Sequence, residues 1–271
     1  MLRTGRRGPL FEFGMAARDF QSSFRQMGLA WSLAWHDVVS RYRGSILGPF
    51  WLTLSMGLMV LGIGVLYAQL FRISLREFMP FVALGIVFFG TISTIVNEGC
   101  DTFVRASGML SQTALPMFTF VWRTVLRNLI TLAHHMVIVL GVLIYFGFWR
   151  EMNLPLAVMG VLFLLVNAGW MSLTAGIVSA RFRDIPQIVG SVMQFALFMT
   201  PVFWRPDGLR ANHALLTLNP FYHMLEAVRA PLLGKPVAAE TYAVLAAMSL
   251  IGWGLAFLLF VRTRRRIVHY L

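Results

Sequence analysis

Apolar residues in this chain gather in long runs instead of alternating with polar ones. Six runs lie near 47–71, 79–99, 117–147, 155–179, 186–204 and 238–261. A helix that crosses the hydrocarbon core of a bilayer needs about 20 apolar residues. A helix also satisfies its own backbone hydrogen bonds in lipid. The pattern predicts an all-α polytopic membrane protein with six transmembrane helices inside 47–261. An even number of spans puts both termini on one side. Residues 1–46 precede the spans and 262–271 follow them. In the first span, Gly57, Gly62 and Gly64 are expected to let neighbouring helices come close.

Two shorter periodic segments flank these runs. Phe20, Phe24, Met27, Trp31, Trp35 and Val38 recur at four, three, four, four and three, which is one face of a helix. Arg18, Gln21 and Arg25 lie off that face. The reading is one amphipathic helix lying in the membrane interface. The stretch SRYRGSILGPFW, 40–51, follows. Arg41 and Arg43 are expected to meet the anionic inner leaflet, with Asp37 pairing to Arg41 at i,i+4. Gly48-Pro49 should break the helix where the chain turns to span, and Trp51 should sit at headgroup level.

The second segment is NPFYHMLEAVRAPLLG, 219–234. Asn219-Pro220 is a helix start, with Asn as N-cap and Pro just inside. Phe221, Leu225 and Val228 form an apolar stripe, and Pro231 and Gly234 end the helix. It is too short to span and follows a polar stretch, 205–214. Residues 205–237 are therefore expected to be an extracytoplasmic re-entrant segment before the last span. Glu226 and Arg229 can pair on the opposite face. They are either an extracytoplasmic gate or a solvated pair worth about 0.2–1 kcal/mol.

Composition sharpens this picture. The chain has 271 residues, 58% hydrophobic, and 13% charged. Soluble domains carry about 25% charged residues. The net charge of +12 does not indicate nucleic acid, because the arginines flank apolar runs. Sixteen of the 23 basic residues fall on the side of the termini and seven on the other. Both termini are expected in the cytoplasm. The first 40 residues lack a signal-peptide pattern, so the N-terminus is expected to be retained. The single Cys100 excludes an intrachain disulfide and a cysteine-based metal site.

The sequence also lacks familiar catalytic signatures. No phosphate-binding loop is present, since the only lysine, Lys235, precedes Pro236. There is no H-E-x-x-H, D-x-D or H-x-x-x-x-D. No catalytic residue, metal or cofactor of its own is expected. His134 and His135 point about 100° apart on a helix and cannot share one site. One is expected to be hydrogen-bonded within the bundle and the other to lie near a cavity.

Three stretches together carry a resemblance. SRYRGSILGPFWLTLSMG (40–57), ARFRDIPQIVGSVMQFALFMTPVFW (180–204) and LNPFYHMLEAVRAPLLG (218–234) resemble, in order, segments of ABC-2 type exporter permeases. The subgroup exports polysaccharides and polyol phosphates: O-antigen, capsule and teichoic acid precursors. The resemblance implies a homodimer of six-span subunits in the bacterial inner membrane. It implies two copies of a separate P-loop ATPase, where ATP and Mg would bind. Docking would involve the interfacial helix and the cytoplasmic coupling region, 100–116, with Glu98, Asp101 and Arg105 as candidates. Many relatives carry basic residues where this chain has Ser111 and Gln112. The implied substrate is a lipid-linked polysaccharide. A lipid or drug substrate, or an integral membrane transferase, is the alternative.

A sliding glycan needs weak, repeated contacts, which aromatic faces supply. Trp51, Tyr67, Phe71, Phe195, Phe198, Phe203 and Trp204 are the channel candidates. Trp51, Tyr67, Phe203 and Trp204 also fit the aromatic belts of a membrane protein. Arg41 and Arg43 are candidates for the phosphate of the lipid-linked end, or act as topological anchors.

Overall fold

The computed structural model describes residues 9–206 and 216–270. Arg3, Arg6, Arg7 and Arg210 of the charge count lie outside the described residues. Among those described, every regular element is a helix.

The N-terminal segment is two helices, not the single one expected: α1 (Pro9–Arg25) and α2 (Met27–Arg41). The break is at Gln26, with φ −102° and ψ 19°. Apart from Val38, the face packed on the bundle is not the aromatic stripe. Ala16, Asp19 and Ser23 of α1 and Ala30, Ala34 and Val38 of α2 are buried. Phe24, Trp31 and Trp35 remain 46–49% exposed. Small side chains bring these helices close to their neighbours, while the aromatics flank the contact.

After a turn in which Gly44 and Gly48 take φ of +84° and +54°, Pro49 leads into α3 (Phe50–Leu70). Its buried residues are small: Gly57, Val60, Gly64 and Ala68. A Cβ on Gly57 would meet Ile138, and one on Gly64 would strike Met79. Gly62 has nothing near its Cβ direction, so it does not serve close packing as expected.

The centre is α4 (Leu75–Cys100), against which α3, α7 (Phe118–Tyr145), α8 (Leu154–Arg181), α9 (Ile185–Met199) and α10 (Pro220–Leu232) all pack. In its most apolar stretch 83% of residues are buried, against 17% in α3. Between α4 and α7 the cytoplasmic-loop candidate folds into α5 (Thr102–Arg105) and α6 (Ser107–Gln112). The last helix, α11 (Ala239–Tyr270), has 32 residues. The tail expected after 261 is thus a helical continuation, up to Tyr270.

Among the described residues, five helices are long and apolar enough to cross a membrane: α3, α4, α7, α8 and α11. The run at 186–204 yields only the 15 residues of α9. At 1.5 Å per residue that is about 22 Å, short of a core of about 30 Å. The cause is local. Pro201 disfavours helix at the preceding residue, and Thr200 is extended, with ψ 137°.

The start of α10 is as read from sequence. Asn219 Oδ1 accepts from the amides of Phe221 and Tyr222, and Pro220 follows it. Gly234, just beyond the helix, takes φ +69°. Contacts with α4 fix its course: the Phe221 ring lies 6.1 Å from that of Phe89, and Arg229 lies over Phe81. The Asn153 amide, at the start of α8, donates to the Pro231 carbonyl at 2.8 Å. The non-helical residue Arg205 meets Glu77 near the start of α4, at 3.0 Å.

Candidate functional site

Candidate residues gather at three stations. The first joins α2, α4 and α7. Arg123 grips Asp37 with both arms: Nε donates to Oδ2 at 2.8 Å and Nη2 to Oδ1 at 2.6 Å. Arg127 Nη1 donates to Asp37 Oδ2 at 3.1 Å. Glu98 Oε2 accepts from Arg127 Nε and Nη2 at 3.1 and 2.6 Å and from Asn128 Nδ2 at 2.7 Å.

The predicted Asp37–Arg41 pair is therefore replaced. An exposed i,i+4 pair stabilises by only a few tenths of a kcal/mol, about 0.2–0.5. A two-armed guanidinium bond in a half-buried setting is stronger. Burial alone would push the Asp37 carboxyl up. The hydrogen bond and charge of Arg123, then those of Arg127, outweigh it and hold the carboxyl below its ordinary range. Arg41 turns instead to Glu98, at 3.5 Å, with its side chain half exposed. Arg43 is exposed in the turn before α3.

The three docking candidates divide. Asp101 and Arg105 are exposed and pair with each other at 3.0 Å. Glu98 faces inward, 16% exposed, as the hub of the ionic cluster. In the sequence Arg123 and Arg127 stand only as topological charges. Their four-residue spacing inside an apolar run was the available signal, because charges there need partners.

The second station holds the aromatics. Tyr67 stacks on Phe71 at 5.5 Å and on Phe203 at 6.3 Å, so three of the seven meet where α3 ends and α9 gives way to the following turn. Trp204 Nε1 donates to the Phe198 carbonyl at 3.0 Å. Trp51 stands apart at the start of α3, 47% exposed. Phe195 and Phe198 project from α9, 67% and 63% exposed, on one face with Ile188 and Val192. Between α3, α4 and α9 lies a cavity of about 330 Å³ lined by Met56, Met59, Phe89, Ser93, Gln194 and Phe203.

The third station fastens α10. Arg229 is 1% exposed. Its Nη1 donates to the Pro201 carbonyl at 2.6 Å, and Nε and Nη2 donate to Glu226 Oε2 at 3.1 and 2.7 Å. The guanidinium lies 4.0 Å from the Phe81 ring centre. The pairing is as expected at i,i+3, but it is not a solvated surface pair, because Arg229 is enclosed by α4 and the end of α9. Asn219 Nδ2 adds bonds to the Met199 carbonyl and to Thr200 Oγ1, at 3.3 and 3.0 Å. The C-terminal end of α9 is thus tied to α10.

His134 Nδ1 bonds the Ile130 carbonyl at 2.8 Å, and the His134 carbonyl accepts from Thr53 at 3.2 Å. Among the described residues no group of three His, Cys, Asp or Glu could hold a metal ion.

Comparison with known proteins agrees with this architecture. The model of the ABC-2 type transporter family matches residues 28–233. The O-antigen export system permease protein RfbA of Myxococcus xanthus is 25% identical over 232 residues, 84% of this chain and 89% of that protein. An all-helical fold, spans of membrane length, no phosphate-binding loop and a family match over most of the chain converge: this chain belongs to the ABC-2 type transporters, as a transport permease whose ATP hydrolysis resides on a separate subunit.

Proposed function

We propose that this chain is the membrane subunit of an ATP-driven exporter moving a lipid-linked polysaccharide across the bacterial inner membrane, as a homodimer over two ATPase subunits. The observation that carries the reading is the open side of α3 and α9. These helices present Leu58, Leu61, Phe195 and Phe198, each more than half exposed, away from their own bundle. A second copy set against them would enclose a passage with aromatic walls. The role of the Myxococcus xanthus relative in O-antigen export supports the substrate class.

Other features are consistent with the reading. Residues 200–204 carry the chain on past α9, which supports a sixth crossing. From Phe221 beside Phe89 to Arg229 over Phe81, α10 climbs towards the start of α4, which supports a re-entrant segment. Arg41 and Arg43 stand at the start of α3, where the phosphate of a lipid-linked end would arrive. Exposed Asp101 and Arg105 suit a docking surface for the ATPase, with both termini in the cytoplasm. Glu226, bound to Arg229, is the gate candidate on the outer side.

The test is complementation. In a strain lacking its own polysaccharide exporter, this chain with its ATPase subunit is expected to restore surface glycan. Labelled glycan that stays inside, despite an assembled complex, would favour a lipid or drug substrate.

A further inference from the structure

Asp19 is a buried carboxylate that the proposed transport path does not use. It lies on α1, and its side chain is 4% exposed. Asp19 Oδ2 accepts from the amide of Met117 at 3.2 Å, and Oδ1 accepts from that of Phe118 at 3.3 Å. These are the first amides of α7, whose own N-cap residue, Met117, supplies no capping side chain. A helix start has unpaired amides and a partial positive charge, normally met by the residue just before it. Here the cap comes from a different helix, 98 residues earlier.

The same carboxylate holds a third element. Arg264 of α11 approaches Asp19 Oδ2 with Nη2 at 3.3 Å and Nε at 3.4 Å. Beside it, Trp122 Nε1 donates to Ser23 Oγ at 3.0 Å, and the rings of Phe20 and Phe118 meet edge-on at 5.0 Å. Phe13 meets Phe257 at 5.4 Å, and Glu12 pairs with Arg265 at 2.6 Å. So α1 bolts the start of α7 to the cytoplasmic continuation of α11. Met117 is also the first residue after the loop 100–116.

We infer that Asp19 is a positioning residue for energy coupling: it makes α7 and α11 move as one when the loop 100–116 is displaced. This rests on the proposed function. A push on the loop reaches α7 through the chain itself. It reaches α11 only through contacts: the Phe118 ring meets that of Phe260 edge-on at 4.7 Å, and among the described residues the Asp19 carboxylate is the one group hydrogen-bonded to both helices.

The permease–ATPase complex in proteoliposomes tests this, with ATP hydrolysis and export measured together. Asp19→Ala is expected to keep ATPase binding and hydrolysis while export per ATP falls on the order of tenfold, within the range of coupling between distant sites. Arg264→Gln should fall in the same direction. Asp19→Asn, which keeps an acceptor but loses the charge, should lie between. Glu12→Gln removes only the neighbouring α1–α11 pair, leaves the α7 amides capped, and should lower export per ATP less than Asp19→Ala does. Unchanged export per ATP in Asp19→Ala, or hydrolysis and export lost in equal proportion, overturns the inference. So does an equal defect in Glu12→Gln, since α1 would then act as a whole. Hydrogen exchange on the permease alone separates this from failure of the proposed function: Asp19→Ala should speed exchange in both 117–121 and 262–267. Faster exchange only in 117–121 overturns the link to α11, whatever the substrate.

Discussion

Arg127 Nη2 on α7 lies 2.6 Å from Glu98 Oε2 at the end of α4, and the Arg127 side chain is only 8% exposed. With Nη1 on Asp37, this one guanidinium joins three helices. Removing one member of a buried pair leaves the other charge unpaired, at 3–5 kcal/mol when fully buried. Glu98 retains some exposure, so Glu98→Ala is expected to cost about 3 kcal/mol, the lower end of that range. Glu98→Gln keeps an acceptor for Arg127 and should cost less. Thermal unfolding of the purified permease in detergent checks both; equal melting temperatures for Glu98→Ala and the native chain would contradict the cluster's role.

Glycines on α8 and α3 offer a paired test. A Cβ on Gly160 would collide with the Ala227 backbone carbonyl of α10, which cannot swing aside as a side chain can. Gly160→Ala is expected to destabilise by about 1–3 kcal/mol or more, as overpacking does. Gly62→Ala meets nothing. It should be neutral, or stabilising by about 0.5–1 kcal/mol, as alanine replaces glycine inside a helix. Expression and monodispersity on size exclusion give the readout; equal tolerance at the two positions would mean that α10 is not seated on α8.

Five of the six predicted spans were legible because crossing a bilayer demands length, and length is visible in a sequence; the remaining run yields a helix of only 15 residues, because Pro201 cuts it short. The start of α10 was legible because Asn219-Pro220 acts within two or three residues. The buried faces of α1 and α2 were not. Hydrophobic residues point inward only when the outside is water, and the small Ala30 and Ala34 permit the close approach that larger side chains would block. The Asp37–Arg123 bond joins residues 86 apart, and the Asp19 cap reaches across 98. No local pattern announces such partners. Of the aromatics, the stacking of Tyr67 with Phe71 is a near-neighbour relation along one helix, whereas their meeting with Phe203 depends on how α9 ends.

Arg229 discriminates between an anchor and a gate. Its guanidinium supplies the Pro201 carbonyl and Glu226 at once and covers the Phe81 ring. Lysine lacks the planar fork. Arg229→Lys is therefore expected to lose most of the effect, and Arg229→Ala to cost about 3–5 kcal/mol, as for breaking a buried pair. Glu226→Ala leaves the bond to Pro201 in place but strands the enclosed guanidinium without its counter-charge, and should destabilise to a comparable extent. Melting temperatures, read beside export, separate the roles. An anchor predicts that stability and export fall together in Arg229→Ala. Native stability with an ion leak would identify a gate.

Two carboxylates outside the spans should respond to acid in opposite directions. Asp37 is held below its ordinary value of 3.8, because Arg123 and Arg127 outweigh the effect of burial. Its contribution to stability is present above 3.8 and is lost as pH falls through the lowered value. Asp19 is raised above 3.8: burial dominates, and the amides of Met117 and Phe118 and the charge of Arg264 only partly offset it. Its proton-linked contribution is present below 3.8 and is lost as pH rises through the raised value. As the solution is acidified through the carboxylate range, the Asp37 term weakens the seating of α2 on α7 while the Asp19 term favours the folded state. Hydrogen-exchange protection factors, corrected for intrinsic rates, should fall for Met27–Arg41 before they fall for Pro9–Arg25. Asp37→Asn should flatten the acid response of Met27–Arg41. If Pro9–Arg25 loses protection first, or Asp37→Asn leaves the response of Met27–Arg41 unaltered, these assignments fail.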